Sequence, residues 1–294
     1  MQYELKNEKL TVRFDTKGAE MISLKNNKNG QEYLWCADAK FWGRHSPVLF
    51  PFVGRVRDGK YRYENKEYQI SQHGFARDME FTCISQEPEE IWFGLDATAD
   101  TKEKYPFEFR LEIGYHLEQD TVSVMWKVLN QEKEREMYFS IGAHPAFMCP
   151  LKEGEKQSDY SICMDKEDEV EYFFINVESG LMLDDKKQLK LSHGCHRLEE
   201  GFFDESAYII EDSQVQKISL LDPENKPYIT VNFQAPLVGV WSPEGKNAPF
   251  VCIEPWYGRC DRQNFAGTLE EREWGNKLAP GEVFERFYEI KVEQ

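Results

Sequence analysis

Alternation of apolar and polar residues with a period of two runs through much of this 294-residue chain. In the longest series, apolar side chains recur at every second position from Phe107 to Leu117. After the polar pair Gln119-Asp120, the alternation resumes from Val122 to Val128. Such a period places every second side chain on one face of a strand, and two such runs around a short polar turn indicate an antiparallel hairpin. A chain with this pattern has to bury one face of many strands against another sheet.

Further segments repeat the pattern. One predicted strand contains Leu10, Val12 and Phe14, whose side chains share one face. Two more hairpins are predicted over Lys60–Ile70 and Ile218–Phe233, and a late strand over Val283–Val292. Their predicted turns are Glu64-Asn65-Lys66 in the first hairpin and Asp222-Pro223-Glu224-Asn225 in the second.

Helical signals are scarce in this sequence. The strongest is Thr268-Leu269-Glu270-Glu271, a capping box that predicts a short helix ending near Gly275. Many strands with polar turns and little helix favour an all-β fold, a large antiparallel β-sandwich or a barrel with few short helices. We find no linker or internal repeat, and the charged stretch Lys152–Asp159 is interpreted as a surface loop. We therefore expect a single domain over residues 1–294.

The composition excludes several classes of function. A hydrophobic share of 40% and an aromatic share of 14% allow a sizeable core. The formal net charge of −17 argues against binding to nucleic acid or to anionic membrane surfaces, because both depend on basic patches. Small neutral or locally neutralised ligands remain open, and the oligomeric state cannot be inferred.

The cysteines indicate a reducing compartment. There are seven, an odd number without paired spacing, so reduced and buried thiols are expected rather than a secreted disulfide framework. The start, Met1-Gln2-Tyr3-Glu4-Leu5-Lys6, lacks the apolar stretch of a signal peptide, and no run approaches the roughly 20 apolar residues of a membrane helix. A cytoplasmic location is expected.

Two ionisable residues stand in apolar surroundings, and each is followed by proline: His144 in Gly142–Phe147 and Glu254 in Val251–Trp256. Proline has no N–H to donate to a sheet, so regular pairing is expected to falter just after each residue. Side chains at strand ends point into pockets, and a histidine with a glutamate suits proton transfer in both directions. The alternative is structural: Glu254 paired with an arginine, and His144 as a core histidine.

Two more segments carry polar groups in unusual settings. Gly43–Arg55 places arginines at both ends of an apolar stretch punctuated by proline, and Gln72–Asp78 is a polar loop containing His73 and Arg77. These arginines could equally pair with surface carboxylates, and His73 before a glycine could be a turn residue.

Taken together, these motifs resemble a known family. The stretches Gly43–Arg55, His73–Arg77, Ala143–Phe147, Gly239–Trp241 and Ile253–Trp256 are similar, in this order, to motifs of the aldose 1-epimerase (galactose mutarotase-like) superfamily, most closely its LacX-like branch. The resemblance implies a large antiparallel β-sandwich with the sugar in a cleft on one sheet. It also implies interconversion of the α and β anomers of a hexose without a metal or organic cofactor.

The resemblance also implies roles for individual residues. Glu254 matches the base at the C1 hydroxyl, and His144 matches the acid at the ring oxygen. His73 matches a second histidine that hydrogen-bonds the sugar, and Arg55 matches a substrate-binding arginine.

Other substrate-binding positions are less closely defined. A further acidic sugar-binding residue is expected in Phe203–Ser206, where Asp204 is favoured over Glu205. Trp241 is a candidate platform for the sugar ring. Arg77 with Arg44 could recognise a phosphate, because the guanidinium fork suits phosphate oxygens.

Several functions therefore compete. The leading hypothesis is a mutarotase; the others are a non-catalytic sugar-binding or regulatory protein on the same fold, a hexose-6-phosphate mutarotase, and a glycosidase with paired carboxylates. His193-Gly194-Cys195-His196 contains possible metal ligands, but its spacing matches no standard zinc pattern, so no metal site is expected.

Overall fold

The computed structural model describes residues 1–293. Its strands are β1 (Gln2–Lys6), β2 (Leu10–Asp15), β3 (Glu20–Asn26), β4 (Val48–Leu49), β5 (Lys60–Tyr63), β6 (Lys66–Gln69), β7 (Thr82–Gln86), β8 (Glu90–Asp96), β9 (Phe109–Glu118), β10 (Thr121–Asn130), β11 (Met137–Phe139), β12 (Ile141–Ala143), β13 (Ala146–Met148), β14 (Ser161–Met164), β15 (Glu169–Ile175), β16 (Met182–Lys190), β17 (Cys195–Arg197), β18 (Tyr208–Ile210), β19 (Lys217–Leu221), β20 (Pro227–Phe233), β21 (Leu237–Trp241), β22 (Phe250–Tyr257), β23 (Asn276–Leu278) and β24 (Val283–Val292). These residues also form the α-helix α1 (Ala99–Lys104) and single 3-10 turns at Arg57–Gly59, Ala76–Asp78, Gln157–Asp159 and Leu269–Glu271.

Two large antiparallel sheets dominate the structure. The nine-stranded sheet has the order β17-β14-β19-β20-β24-β10-β9-β8-β7, and the eight-stranded sheet has the order β16-β15-β18-β21-β22-β12-β4, with β13 also paired to β22. Smaller sheets are formed by β1-β2-β3, by β5-β6 and by β11-β23. The predicted all-β, antiparallel fold is confirmed.

The two large sheets pack face to face. The ring centroid of Trp126 on β10 lies 6.3 Å from that of Tyr257 on β22, and Phe284 on β24 lies 5.2 Å from the same tyrosine. On β22, Val251 and Ile253 enter this shared core. Because alternate residues of a strand point to opposite faces, Glu254 projects from the other face of the eight-stranded sheet.

The predicted hairpins are confirmed. The longest alternating series forms β9 and β10, which pair around Gln119-Asp120, and Val283–Val292 forms β24 with the predicted bounds. The other two hairpins form β5–β6 and β19–β20. Local patterning was sufficient here because each turn directly joins the strands that it pairs.

The predicted helix after Thr268 is too long. Its capping contact exists, since Thr268 N donates to Glu271 Oε2 at 2.8 Å, but the 3-10 turn ends at Glu271 rather than near Gly275. Arg272 has an extended backbone, and its buried side chain donates from Nε to Asp261 Oδ1 at 2.7 Å. This tertiary contact draws the chain out of the helical path.

The expectation that all cysteines are reduced and buried is wrong. Cys163 on β14 and Cys195 on β17 lie opposite each other in register, with Cα atoms 4.0 Å apart, and form a disulfide. Of the free cysteines, Cys36 is exposed and Cys83 is partly exposed. The two thiols meet because β14 pairs with β17. The spacing of the cysteines along the chain gives no sign of this pairing.

None of the helices within residues 1–293 has the length and apolar character needed to cross a membrane.

Candidate active site

A cavity of about 390 Å³ opens on the outer face of the eight-stranded sheet. Its volume falls in the range of about 300–1,000 Å³ that is common for small-molecule sites. Seven of the side chains proposed from sequence line it: Arg44, Arg55, His73, Arg77, His144, Trp241 and Glu254. The fold therefore gathers proposed residues up to 210 positions apart along the chain, the separation of Arg44 and Glu254.

His144 and Glu254 face each other inside this cavity. His144 Nε2 lies 3.3 Å from Glu254 Oε2, and both side chains are buried. His144 follows the end of β12, whereas Glu254 lies within β22, the strand beside it. The alternative prediction, that Glu254 pairs with an arginine, is wrong. Within residues 1–293, the ion-pair partner of Glu254 is His144.

The expectation that pairing falters after Glu254 is wrong, because β22 continues through Pro255 to Tyr257. Ile253 N donates to Pro145 O at 3.3 Å, so the N–H groups of every second residue of β22 point toward the neighbouring chain of β12 and β13. Pro255 is two residues further along and would point to the same side. The ladder between β12 and β22 ends with Gly142 opposite Trp256, so no ladder hydrogen bond requires an N–H at Pro255, and a strand proline is tolerated there.

Burial governs the protonation of this pair. It raises the pKa of Glu254 well above its ordinary value and lowers the pKa of His144 to about 3. The nearby guanidinium of Arg77 lowers the pKa of His144 further. Both shifts favour the uncharged side chains, so the resting pair holds one titratable proton, on Glu254, with its Oε2 3.3 Å from His144 Nε2.

His73 lies beside this pair, with its ring centroid 5.6 Å from that of His144. Gly54 N donates to His73 Nδ1 at 3.1 Å, so the neutral imidazole carries its hydrogen on Nε2, which lies 3.1 Å from the side-chain amide of Gln72. Burial, and then the proximity of His144, holds the pKa of His73 well below its ordinary value. His73 is therefore a neutral hydrogen-bond donor at the cavity.

A glycine on each side of this loop allows the close approach. Gly74 has φ +71°, and a Cβ there would lie 2.2 Å from Phe50 O. Gly54 has φ +73°, and a Cβ there would lie 2.5 Å from the Cβ of Cys260. Only glycine fits either position. The backbone can therefore approach closely at Gly74, next to His73 in the chain, and at Gly54, which contacts the His73 ring.

Three arginines also line the cavity. Arg44 donates to Asp78 Oδ1 at 2.8 Å, and Arg77 donates to Gln72 O at 2.8 Å while its buried Nε has no hydrogen-bond partner. Arg55 donates from Nε to Gln72 Oε1 at 3.0 Å. Burial lowers the pKa of Arg77 to about 10, with a contribution from Arg44, yet the guanidinium remains charged at neutral pH.

Asp204 does not line the cavity. Its Oδ1 accepts a hydrogen bond from Gly245 N at 3.2 Å, and the neighbouring Glu205 pairs with Lys187 on the surface. The carboxylate that does line the cavity is Glu244, which accepts from Trp241 Nε1 at 3.1 Å. Sequence reasoning missed Glu244 because it considered only the segment before β18. The signal was available, since Glu244 follows the end of β21, a neighbour of β22.

Metal ligation has one geometrically possible location within residues 1–293. Ligand atoms of His144, Cys252 and Glu254 lie within 4.8 Å of one another. Burial raises the pKa of Cys252 well above its ordinary value, so its sulfur is held as a thiol, whereas metals bind thiolates. At His193–His196, Cys195 belongs to the disulfide and His196 Nδ1 contacts Lys190 O at 2.9 Å, so that segment does not assemble a ligand set.

Comparison with known proteins places this geometry in a class, the galactose mutarotase-like β-sandwiches. A galactose mutarotase related enzyme from Lactobacillus acidophilus superposes with a TM-score of 0.93 at 32% identity, over 100% of this chain and 98% of that one. A galactose mutarotase-like protein from Lactobacillus casei superposes with a TM-score of 0.92 at 29% identity, over 100% of both chains.

The sequence comparisons agree. A family model described as aldose 1-epimerase matches residues 1–291. Two curated relatives, the chromosomal and plasmid LacX proteins of Lactococcus lactis subsp. lactis, are each 32% identical over 299 residues, covering 99% of this chain and 99% of each relative. The chain belongs to the aldose 1-epimerase family, and the resemblance described from its motifs is confirmed.

Proposed function

We propose that this protein is an aldose 1-epimerase that interconverts the α and β anomers of a hexose by general acid–base catalysis, without a metal or organic cofactor. The observation that carries the proposal is the buried contact between His144 Nε2 and Glu254 Oε2, 3.3 Å apart in a cavity of sugar-compatible size. Membership of the aldose 1-epimerase family supports the same reaction.

In the proposed reaction, the carboxylate of Glu254 removes the proton of the C1 hydroxyl while the imidazolium of His144 protonates the ring oxygen. The bond between C1 and the ring oxygen breaks, and the open-chain aldehyde forms. Rotation about the C1–C2 bond presents the other face of the aldehyde. The ring oxygen then attacks C1, returns its proton to His144, and the new hydroxyl oxygen takes the proton held by Glu254. Atoms and protons balance without any co-reactant.

The one-proton state of the pair suits this cycle. Moving the shared proton from Glu254 to His144 produces the carboxylate and the imidazolium together, which are the base and the acid that ring opening requires. Because burial disfavours either charge alone, the charged pair is a reactive minor form. Arg77 makes the imidazolium a stronger acid by electrostatic repulsion.

The remaining residues are proposed to bind the sugar. The Nε2–H of His73 donates toward the ring oxygen, Arg55 donates to hydroxyl oxygens, and Trp241 offers an apolar face. We propose Glu244, rather than Asp204, as the carboxylate that accepts from sugar hydroxyls, because Glu244 lines the cavity.

Exchange NMR on the two anomeric protons of glucose and of galactose tests this proposal directly. We expect the wild-type protein to accelerate exchange in proportion to its concentration, well above the buffer rate. Saturable sugar binding in calorimetry without accelerated exchange would instead indicate a binding or regulatory protein. Release of reducing sugar from a glycoside would indicate a glycosidase.

A second candidate substrate, a hexose 6-phosphate, is favoured by the charge of the cavity. Asp78 is the carboxylate nearest to two of the arginines, with side-chain N–O distances of 2.8 Å to Arg44 and 3.9 Å to Arg77. Among residues 1–293, no carboxylate lies within 4.0 Å of the Arg55 guanidinium. Three guanidinium groups in one cavity of a chain with net charge −17 suit a phosphate.

Arg77→Gln should separate the two substrate classes. If the phosphate binds there, the variant should lose about 10- to 100-fold in kcat/KM for the 6-phosphate, the typical effect of losing a hydrogen bond to a charged group. The loss of the repulsion between Arg77 and His144 acts on both sugars, so the measure is the ratio of kcat/KM for the 6-phosphate to that for the free hexose, which should fall. Arg62→Gln, away from this cavity, is the matched control. Equal losses on both sugars would argue against a phosphate site at Arg77.

A further inference from the structure

The imidazole of His144 lacks the usual anchor of a proton-transferring histidine. Its Nδ1 is buried and has no hydrogen-bond partner, whereas such rings are commonly oriented by a carboxylate or carbonyl at this atom. Rotation about the Cβ–Cγ bond would move Nε2 away from Glu254 and break the 3.3 Å contact. Something other than a hydrogen bond at Nδ1 must therefore hold the ring plane.

Aromatic rings surround this imidazole. The indole of Trp42 stacks on its face, with centroids 4.6 Å apart and an interplanar angle of 26°. Trp241 meets the ring edge-on at 5.4 Å and 88°, and His73 does so at 5.6 Å and 80°. Of these three contacts, only that of Trp42 is face to face.

We propose that Trp42 is a positioning residue for His144: its stacked indole holds Nε2 toward Glu254 and stabilises the imidazolium form through the π face. This inference rests on the proposed function, because it concerns the acid of that reaction. A cation over an indole face is attracted by the ring quadrupole, and tryptophan provides the strongest such interaction among the aromatic side chains.

Trp42 is itself held in place. Trp35 Nε1 donates to the carbonyl of Trp42 at 2.8 Å, and Trp42 N donates to Asp38 O at 3.0 Å. Its ring also contacts Phe250, with centroids 5.9 Å apart. The indole is thus a fixed wall of the cavity against which the imidazole can be oriented.

The charged and titratable neighbours of His144 show why such support matters. Those facing or near the ring are Arg44, His73, Arg77, Cys252 and Glu254. The two arginines repel an imidazolium, and the neutral His73 and Cys252 do not compensate for them. Besides the backbone of His144 itself, Glu254 and the Trp42 face favour the positive charge, and Glu254 must also engage the substrate during the reaction.

Trp42→Leu and Trp42→Phe test the inference. We expect kcat to fall by about 3- to 30-fold in the leucine variant with little change in KM, and by less in the phenylalanine variant. Losing the π face lowers the affinity of His144 for its proton, so the acid form is lost at lower pH. Because the resting pair carries its proton on Glu254, proton uptake by His144 sets the acid limb of the kcat/KM profile, which should therefore move down by about 0.4–1.5 pH units while the alkaline limb stays in place.

Phe41→Leu is the control for a general effect on this loop, because Phe41 contacts Trp35 but not His144. If Trp42 acts only as a platform for the sugar, KM should rise while kcat and the pH profile stay unchanged. That result would overturn the inference.

A readout independent of activity keeps the two proposals separable. In NMR spectra, the indole ring current should shift the carbon-bound protons of His144 upfield, and Trp42→Leu should return them downfield. Unchanged His144 resonances in the variant would overturn the inference even if the wild type is active. Absence of anomer exchange in the wild type, with the resonances shifted as expected, would count against the proposed function alone.

Discussion

Glu254→Gln should lose about 10²- to 10⁴-fold of the catalysed anomer exchange, the usual contribution of a positioned proton-transfer group. Glutamine has nearly the same shape, so it can occupy the same place beside His144, but it cannot accept the proton of the C1 hydroxyl. The measurement is kcat from exchange NMR at saturating sugar, with KM determined in parallel. Retention of the wild-type rate would rule out Glu254 as the base.

The stability of the same variant provides an internal control. Because burial raises the pKa of Glu254, the folded state favours the protonated carboxyl. The contribution of this group to stability is therefore full below the unfolded pKa of about 4.3 and is lost as the pH rises toward the raised folded pKa. Relative to the wild type, Glu254→Gln should gain in free energy of unfolding between acidic and neutral pH. A variant that is inactive because it unfolds would instead have a lower free energy of unfolding than the wild type at the pH of the assay.

Arg272→Ala should cost about 3–5 kcal/mol in the free energy of unfolding, the range expected when one partner of a buried ion pair is removed. Arg272 and Asp261 are both buried, and Arg272 also donates to Arg259 O at 2.8 Å. In the variant, Asp261 would keep its backbone contact, from Arg57 N at 2.9 Å, but would lose its charge partner.

Denaturant unfolding followed by tryptophan fluorescence measures this loss. The matched control is Arg13→Ala, because Arg13 pairs with Glu4 at 3.0 Å on the exposed surface, where such pairs contribute about 0–1 kcal/mol. Equal effects of the two substitutions would show that burial of the Arg272–Asp261 pair does not matter. Because Asp261 N also donates to Arg55 O at 3.0 Å, weaker sugar binding in Arg272→Ala is a secondary expectation.

The strands that sequence reasoning predicted well are those with a long, regular alternation of apolar and polar residues. The β9–β10 hairpin and β24 follow from a period-two pattern that no helix could satisfy. Helix α1 was missed because it has only six residues, and its N-terminus rests on one reciprocal contact between Thr98 and Thr101. Without an apolar stripe of several turns, such a segment has no helical periodicity to detect.

Features that depend on distant pairing could not be predicted from local pattern. The Cys163–Cys195 disulfide requires β14 and β17 to be neighbours, and the continuation of β22 past Pro255 requires the β12–β22 ladder to end at the pair Gly142–Trp256. Both are properties of the assembled sheets, and neither has a signal in the flanking residues.

The candidate site divides in the same way. His144 and Glu254 were noticeable in sequence because ionisable residues rarely interrupt apolar strands without a reason. Sequence reasoning considered Asp204 and not Glu244, although both lie in loops that adjoin strands of the eight-stranded sheet, β18 and β21. Only the direction of each loop decides which carboxylate reaches the cavity, and that direction is set by contacts such as the one between Gly245 N and Asp204 Oδ1.

The packing of β22 on both faces has an evolutionary consequence. Since Ile253 points into the space between the sheets and Glu254 points to the cavity, inserting or deleting one residue earlier in this strand would exchange their directions. The carboxyl group would then be driven into hydrocarbon, and an isoleucine would stand where the sugar is proposed to bind. Length variation among descendants of this protein should therefore accumulate in surface loops such as Lys152–Asp159 and be purged from Phe250–Tyr257.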